Sequence, residues 1–315
     1  MVNWQTSAVI FPGQGSQELG MGKDFADAYP IARETFEQAD DVLGYGLSGL
    51  CWDGPEDELN QTINTQPAIY VNSIAIWRVL QQERPDVQPA WAAGHSLGEL
   101  TALTVAGAMS FEEGLALVYT RSSLMQRAGE ETPGAMAALL GLDTDSVRAL
   151  CKTVGDESGK VVVLANDNCP GQVVVSGDVE AIDVLVERAA DAGAKRAVKL
   201  AVSVASHSPL MASALPDFHN KLSETNLSTP QIPVYGNVSA SQLHTVDDIR
   251  EELGHQLTQS VRWTESMQAI IEAGAETFIE VGSKDVLSGL MRRIDRKKAR
   301  VTLNSVDALR AFLDS

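Results

Sequence analysis

The chain has 315 residues, 44% of them hydrophobic and 21% charged, with a formal net charge of −18. That size and mixture fit one large globular core, or a core plus a small inserted unit, and no apolar run is long enough to span a bilayer. The acidity argues against nucleic-acid binding, and three Cys (Cys51, Cys151, Cys169) without metal-ligand spacing, behind an N-terminus lacking a secretory pattern, point to the cytoplasm.

Residues 7–11 read as a short apolar strand that runs into the loop Pro12-Gly13-Gln14-Gly15-Ser16-Gln17. Helical patterns follow near 22–43, 55–60 and 68–83. Residues 90–93 are apolar and precede Gly94-His95-Ser96-Leu97-Gly98, after which strong helix formers begin. Helices are predicted near 97–106 and 111–128. Strands alternating with helices indicate a parallel α/β sheet. Between Pro133 and Leu200 the rhythm changes. A strand at 135–140 is followed by a helix at 143–154, then by strands at 161–165 and 172–176 split by a turn at 167–171. A helix at 179–192, ended by Gly193, leads to a strand at 196–200. That order is β-α-β-β-α-β, a ferredoxin-like unit. The first rhythm resumes after 205, with buried strands at 234–238 and 277–281 and a helix at 284–297. The expected fold class is α/β: an α/β-hydrolase-like large domain with a parallel sheet, discontinuous over 1–131 and 202–315, and a ferredoxin-like subdomain inserted at 132–201.

A Ser flanked by two Gly at a strand-to-helix turn is a nucleophile elbow. It lifts the Ser96 hydroxyl above the sheet and points the first helical N–H groups at any oxyanion that forms there. A serine hydroxyl needs a base. Among His95, His207, His219, His244 and His255, the best placed is His207, downstream of Ser96 and just after the small unit returns the chain to the large one. His95 is expected to point away from the chemistry. The residues alone leave Asp178 and Asp217 open as a carboxylate behind the base. Taken alone, Arg121 reads as a solvated helix residue and Gly13-Gln14-Gly15 as an ordinary turn.

Together, several motifs resemble one family, the malonyl-CoA:acyl carrier protein transacylases of fatty acid synthesis. They are Phe11-Pro-Gly-Gln-Gly-Ser-Gln17, Gln66-Pro-Ala, Gly94-His-Ser-Leu-Gly-Glu99, Arg121 with Met125-Gln126, and Asn168-Cys-Pro-Gly-Gln172. Ser203-Val-Ala-Ser-His207, Asn237-Val238 and Glu280-Val-Gly282 complete the set. The resemblance runs from about residue 7 to residue 295. One departure is Ser283, where the family usually has Pro. The resemblance implies Ser96 as nucleophile and His207 as general base, with the backbone carbonyl of Gln256 orienting the imidazole. The oxyanion hole would be the backbone N–H groups of Gln14 and Leu97. Arg121 would hold the malonyl carboxylate, with Gln66 lining the same pocket, and Asn168 and Gln172 would shape the cleft or meet the pantetheine arm. The implied partners are malonyl-CoA and, transiently, acyl carrier protein; no metal or redox cofactor is needed, and neither nucleic acid nor membrane is involved.

Three rival readings remain at this point: a free-standing acyltransferase of a polyketide synthase, a serine thioesterase or lipase, and a non-catalytic binding module. Against so acidic a chain, an acidic carrier protein would need a local basic surface. Two clusters are candidates: Lys284, Arg292, Arg293, Arg296, Lys297, Lys298 and Arg300, favoured for its density, and Lys195, Arg196 and Lys199.

Overall fold

Two sheets organise the chain in the computed structural model, which describes residues 2–202 and 204–314. Ser203, part of the motif that ends at His207, lies outside the described residues. The strands are β1 (Ser7–Phe11), β2 (Trp91–Gly94), β3 (Gly134–Leu140), β4 (Val162–Cys169), β5 (Gln172–Asp178), β6 (Arg196–Lys199), β7 (Val234–Tyr235), β8 (Gln242–Leu243), β9 (Thr277–Val281) and β10 (Ala299–Leu303). The larger sheet has the order β10-β9-β1-β2-β7-β8 and is parallel from β10 to β7, with β8 antiparallel at its edge. All five residues of β1 are buried, as expected of a strand covered on both faces. β1 and β2 end side by side, with Phe11 opposite Gly94, so the glycine loop and the elbow leave the sheet at the same end.

The smaller sheet, β4-β5-β3-β6, is antiparallel throughout. Alternation along β3 explains its two faces. Ala135, Ala137 and Leu139 pack with Val147, Cys151, Ile182 and Leu185 of the helices Thr144–Ser158 and Val179–Ala189. Met136 and Ala138 point to the other side, toward the larger sheet, with Val174 and Leu200. The smaller sheet is tied through β4 to the rest of the chain: Asp167 N–H donates to Val261 O at 2.9 Å, Val261 N–H donates to Ala165 O at 2.8 Å, and Thr264 Oγ1 donates to Asp167 Oδ1 at 2.7 Å.

Local departures from the sequence reading have physical causes. Pro30 opens a new helix at its first position, so the pattern at 22–43 is two helices, Lys23–Ala28 and Pro30–Leu43. The helix expected at 68–83 is Thr62–Glu83 and contains Pro67. A proline there leaves the Ile63 carbonyl without its helical donor. Ser122 Oγ donates to that carbonyl at 3.3 Å and covers the loss. β10 lies in a basic, half-exposed stretch and β8 has only two residues, so neither carries the apolar run that marks a strand. Ser283, the departure at the β9 turn, accepts a hydrogen bond from buried Asn72 Nδ2 at 3.0 Å. No helix among the described residues is long and apolar enough to cross a membrane.

Candidate active site

Ser96 sits between β2 and the helix Gly98–Val105 with φ = 52°. The flanking glycines are steric necessities. A Cβ on Gly94 would lie 1.8 Å from Gly98 O, and one on Gly98 would lie 2.0 Å from Phe11 O. Gly13 is equally constrained, since its Cβ would meet His95 O at 2.4 Å. The elbow and the glycine loop therefore nest backbone to backbone. Asn237 ties the elbow down: its Oδ1 accepts the Ser96 N–H at 2.6 Å and its Nδ2 donates to Gly94 O at 2.7 Å. The backbone N–H groups of Gln14 and Leu97 have no hydrogen-bond partner among the described residues, and both residues line the cavity over Ser96.

His207 Nε2 is 2.8 Å from Ser96 Oγ, and His207 Nδ1 is 2.7 Å from the carbonyl oxygen of Gln256. A carbonyl only accepts, so the Nδ1 carries the proton and Nε2 is left to accept from the serine hydroxyl. Asp178 and Asp217 lie elsewhere: Asp178 Oδ2 accepts the Val161 N–H at 2.7 Å, and Asp217 pairs with Arg127 at 2.5 Å. His207 is buried, and its pKa falls from 6.5 to about 3. Burial is the main cause, followed by the nearby Arg121 guanidinium; the Gln256 carbonyl opposes both. The imidazole is therefore neutral at physiological pH.

Arg121, on the helix Phe111–Glu131, is 1% exposed. Its partners are all neutral. Nε and Nη2 donate to Gln256 Oε1 at 3.2 and 2.8 Å, Nη1 donates to Gln66 Oε1 at 2.6 Å, and Nη2 also donates to Ser96 Oγ at 3.1 Å. Burial lowers its pKa to about 10, which still leaves it charged. The charge of Glu99 opposes that fall through space, but no carboxylate hydrogen-bonds the guanidinium, and a buried cation so placed beside Ser96 can take a carboxylate from a ligand.

The cavity over Ser96 measures about 300 Å³ and lies between the two sheets. Gln66, Asn168 and Gln172 line it with Ser96 and His207. His95, expected to point away, lines it too: its Nε2 is 2.8 Å from Asn168 Oδ1 and its ring stands edge-on to Trp263. Gln172 is held by Arg293, whose Nη1 donates to Gln172 Oε1 at 2.7 Å and whose Nη2 donates to the Pro170 and Gly171 carbonyls, both at 3.1 Å. Arg293 thereby brings one member of the denser basic cluster to the rim of the cavity, and Arg292, Arg296 and Lys297 of the same cluster are exposed. Lys284 donates to Gln17 O at 2.7 Å, Lys298 pairs with Glu276 at 3.0 Å, and Arg300 donates to Lys298 O at 2.7 Å. In the second cluster Lys199 pairs with Asp183 at 2.6 Å. Among the described residues no group of His, Cys, Asp or Glu could hold a metal ion.

Sequence reasoning assigned no role to the Gln256 side chain, Asn237 or Glu99. The Gln256 Nε2 donates to Ser96 O at 2.9 Å and to Glu99 Oε2. Glu99 and Asn237 stood in the motifs, which was their signal. Nothing in the residue types marked the side chain of Gln256.

The acyl transferase domain profile matches residues 8–303. The malonyl CoA-acyl carrier protein transacylase of Haemophilus influenzae is 43% identical over 304 residues, covering 96% of this chain and 97% of that protein. The acyl carrier protein S-malonyltransferase of Vibrio cholerae superposes with a TM-score of 0.93 at 42% identity, covering 98% of this chain and 99% of that one. A malonyl-transacylase solved in complex with its type II polyketide-synthase acyl-carrier protein superposes with a TM-score of 0.94 at 44% identity, again over 98% and 99%. The chain therefore belongs to the malonyl CoA-acyl carrier protein transacylases, within the acyl transferase family.

Proposed function

We propose that this protein moves the malonyl group from malonyl-CoA to the phosphopantetheine thiol of acyl carrier protein, in fatty acid biosynthesis, through a malonyl ester on Ser96. The observation that carries the acyl specificity is Arg121, a fully buried cation hydrogen-bonded only to neutral groups and 3.1 Å from Ser96 Oγ. A guanidinium has five N–H donors. Gln256 and Gln66 occupy three, so the hydrogen given to Ser96 and one on Nη1 remain for a substrate carboxylate. A hydrolase acting on uncharged acyl groups has no use for that charge.

Ser96 Oγ attacks the thioester carbonyl and His207 Nε2 takes its proton. The N–H groups of Gln14 and Leu97 receive the oxyanion. The C–S bond breaks as the carbonyl reforms, and His207 returns the proton to the CoA sulfur. In the second half-reaction the carrier-protein thiol gives its proton to His207 and attacks the ester, and the alkoxide of Ser96 recovers that proton. The Gln256 carbonyl keeps the imidazole in the tautomer that both halves need. Gln66 orients Arg121, while Asn168 and Gln172 shape the cleft wall that faces the pantetheine arm.

The strand order β4-β5-β3-β6, with two helices on one face, supports a ferredoxin-like subdomain over 132–201. A serine elbow at the end of a parallel strand supports an α/β-hydrolase-like large domain over 1–131 and 202–315. Three unpaired cysteines support a cytoplasmic location. A second reading, with the same chemistry but a polyketide-synthase carrier, is favoured by the 44% identity to the transacylase solved with such a carrier.

Intact mass spectrometry tests the proposal. Malonyl-CoA alone should leave one malonyl group on Ser96, discharged by holo-acyl carrier protein as malonyl-carrier protein. Ser96→Ala should carry none. Free malonate as the main product, or an adduct on another residue, would overturn the assignment, and comparing fatty-acid with polyketide carriers separates the two readings.

A further inference from the structure

Glu99 is fully buried on the helix that follows the elbow, three residues past Ser96, and the mechanism above does not use it. Its Oε2 accepts from Gln256 Nε2, and its Oε1 accepts the Asn237 N–H at 3.4 Å. Each of those residues holds a different part of the site. Asn237 binds the Ser96 N–H. Gln256 gives its side-chain Oε1 to Arg121 and its main-chain carbonyl to His207. The orientation of the Gln256 amide matters because Arg121 only donates. If the amide turned over, two donors would face each other at the Nε–Nη2 edge of the guanidinium.

We propose that Glu99 is a positioning residue for substrate selection, holding the Gln256 amide so that Oε1 fixes the edge of Arg121 that does not meet the substrate. The inference rests on the reading of Arg121 as the malonyl carboxylate site. Glu99 favours the charged Arg121 through space but makes no hydrogen bond to it, so its direct contact with the relay is as an acceptor from Gln256. It lies against Glu252, whose oxygens take the Val238 and Ser239 N–H groups. Burial, and then the charge of Glu252, push Glu99 well above the usual carboxyl range, which weakens it as an anion, while its Oε2 accepts from Gln256. Glu99 thus leaves the charge of Arg121 available for an incoming carboxylate while fixing where that charge points.

The test is single-turnover acylation of Ser96 by malonyl-CoA and acetyl-CoA, read as the ratio of the two rates. Glu99→Met removes the acceptor at similar length and should lower the malonyl-to-acetyl ratio about tenfold or more, the size of one charged hydrogen bond. Glu99→Gln can still accept from Gln256 and donate to Glu252, so it should hold the ratio within a few-fold of the parent. A general structural role would depress both substrates together and leave the ratio alone. Should Glu99→Met not fold, Gln256→Met cuts the same relay and keeps the main-chain carbonyl on His207. It should show the same loss of ratio. The proposal is overturned if whichever of these Met variants folds keeps the parent ratio, or if Glu99→Gln loses as much as Glu99→Met. A parent enzyme without malonyl preference would instead sink the reading of Arg121, and this proposal with it.

Discussion

Replacing Arg121 with Ala should reverse acyl preference, and the structure sets the size of the effect. Two guanidinium hydrogens remain for the substrate once Gln256 and Gln66 are served. Charged hydrogen bonds contribute about 1.5–3 kcal/mol each. Desolvation of the incoming carboxylate offsets part of that gain, so malonyl transfer should lose about 2–5 kcal/mol, between about 30-fold and several thousand-fold. Acetyl-CoA makes no ion pair and loses none; it should gain, because it no longer leaves a buried cation unpaired. Arg121 also touches Ser96 and depresses the His207 pKa, so the variant changes nucleophile and base as well. Those effects are common to both substrates and cancel in the ratio. Without the guanidinium, the His207 pKa should rise and the acid limb of the acylation rate should move to higher pH for both. The assay is competitive acylation with mixed malonyl-CoA and acetyl-CoA, followed by intact mass spectrometry. Arg121→Lys should recover only part of the ratio, since an ammonium cannot reproduce the fork. Equal loss of both transfers in Arg121→Ala would refute the reasoning.

Three further outcomes follow from the geometry. His207→Ala should slow acylation and carrier-protein transfer together, because one base serves both; rapid-quench rates for each half-reaction check this, and a defect in transfer alone would mean that another group activates Ser96. The folded-state pKa of His207, about 3, lies below its ordinary 6.5, so the unfolded chain binds more protons between them. The stability this contributes is present above 6.5 and is lost as pH falls toward 3. Thermal melts between about pH 7 and 5 should therefore show a steeper loss in the parent than in His207→Gln. Gly98→Ala should destabilise the fold by about 3 kcal/mol or more, because a Cβ 2.0 Å from Phe11 O forces backbone to move; a denaturation midpoint equal to the parent's would contradict the nested turns.

The elbow was legible because its signal is local: an apolar run, two glycines around a serine, then helix formers. The six elements of the smaller sheet and its two helices were legible for the same reason, since each carries its own local pattern between Pro133 and Leu200. Arg121 was not legible from residue type, since an arginine on a helix is ordinarily solvated. Only the resemblance singled it out. The tie from Gln256 to Ser96 joins residues 160 positions apart, and that from Asn237 to Ser96 spans 141. Asn and Gln carry no periodic signal, so contacts of that kind exist only once the chain has folded. The basic stretch was legible only in part. Charge density marked the stretch but not which of its members are engaged: Arg293 and Lys284 donate to the Pro170, Gly171 and Gln17 carbonyls, while Arg292, Arg296 and Lys297 stay exposed.

The neutral partner behind His207 and the unpaired charge of Arg121 belong to one arrangement. Both converge on Gln256, one at its carbonyl and one at its side chain. A carboxylate side chain at that position would pair with Arg121 and neutralise the charge that, on the proposed reading, meets the substrate. It would also raise the basicity of His207, favouring the imidazolium in the resting enzyme. An amide supplies an acceptor of the same shape without the charge. Burying a guanidinium this way is costly, and Gln66, Gln256 and Ser96 offset the cost through hydrogen bonds that leave the net charge in place. On the proposed reading, the anion that completes the site arrives with the substrate. The attraction between them is then at its strongest when the thioester lies beside Ser96, in a cavity that already holds the base neutral and ready to accept a proton.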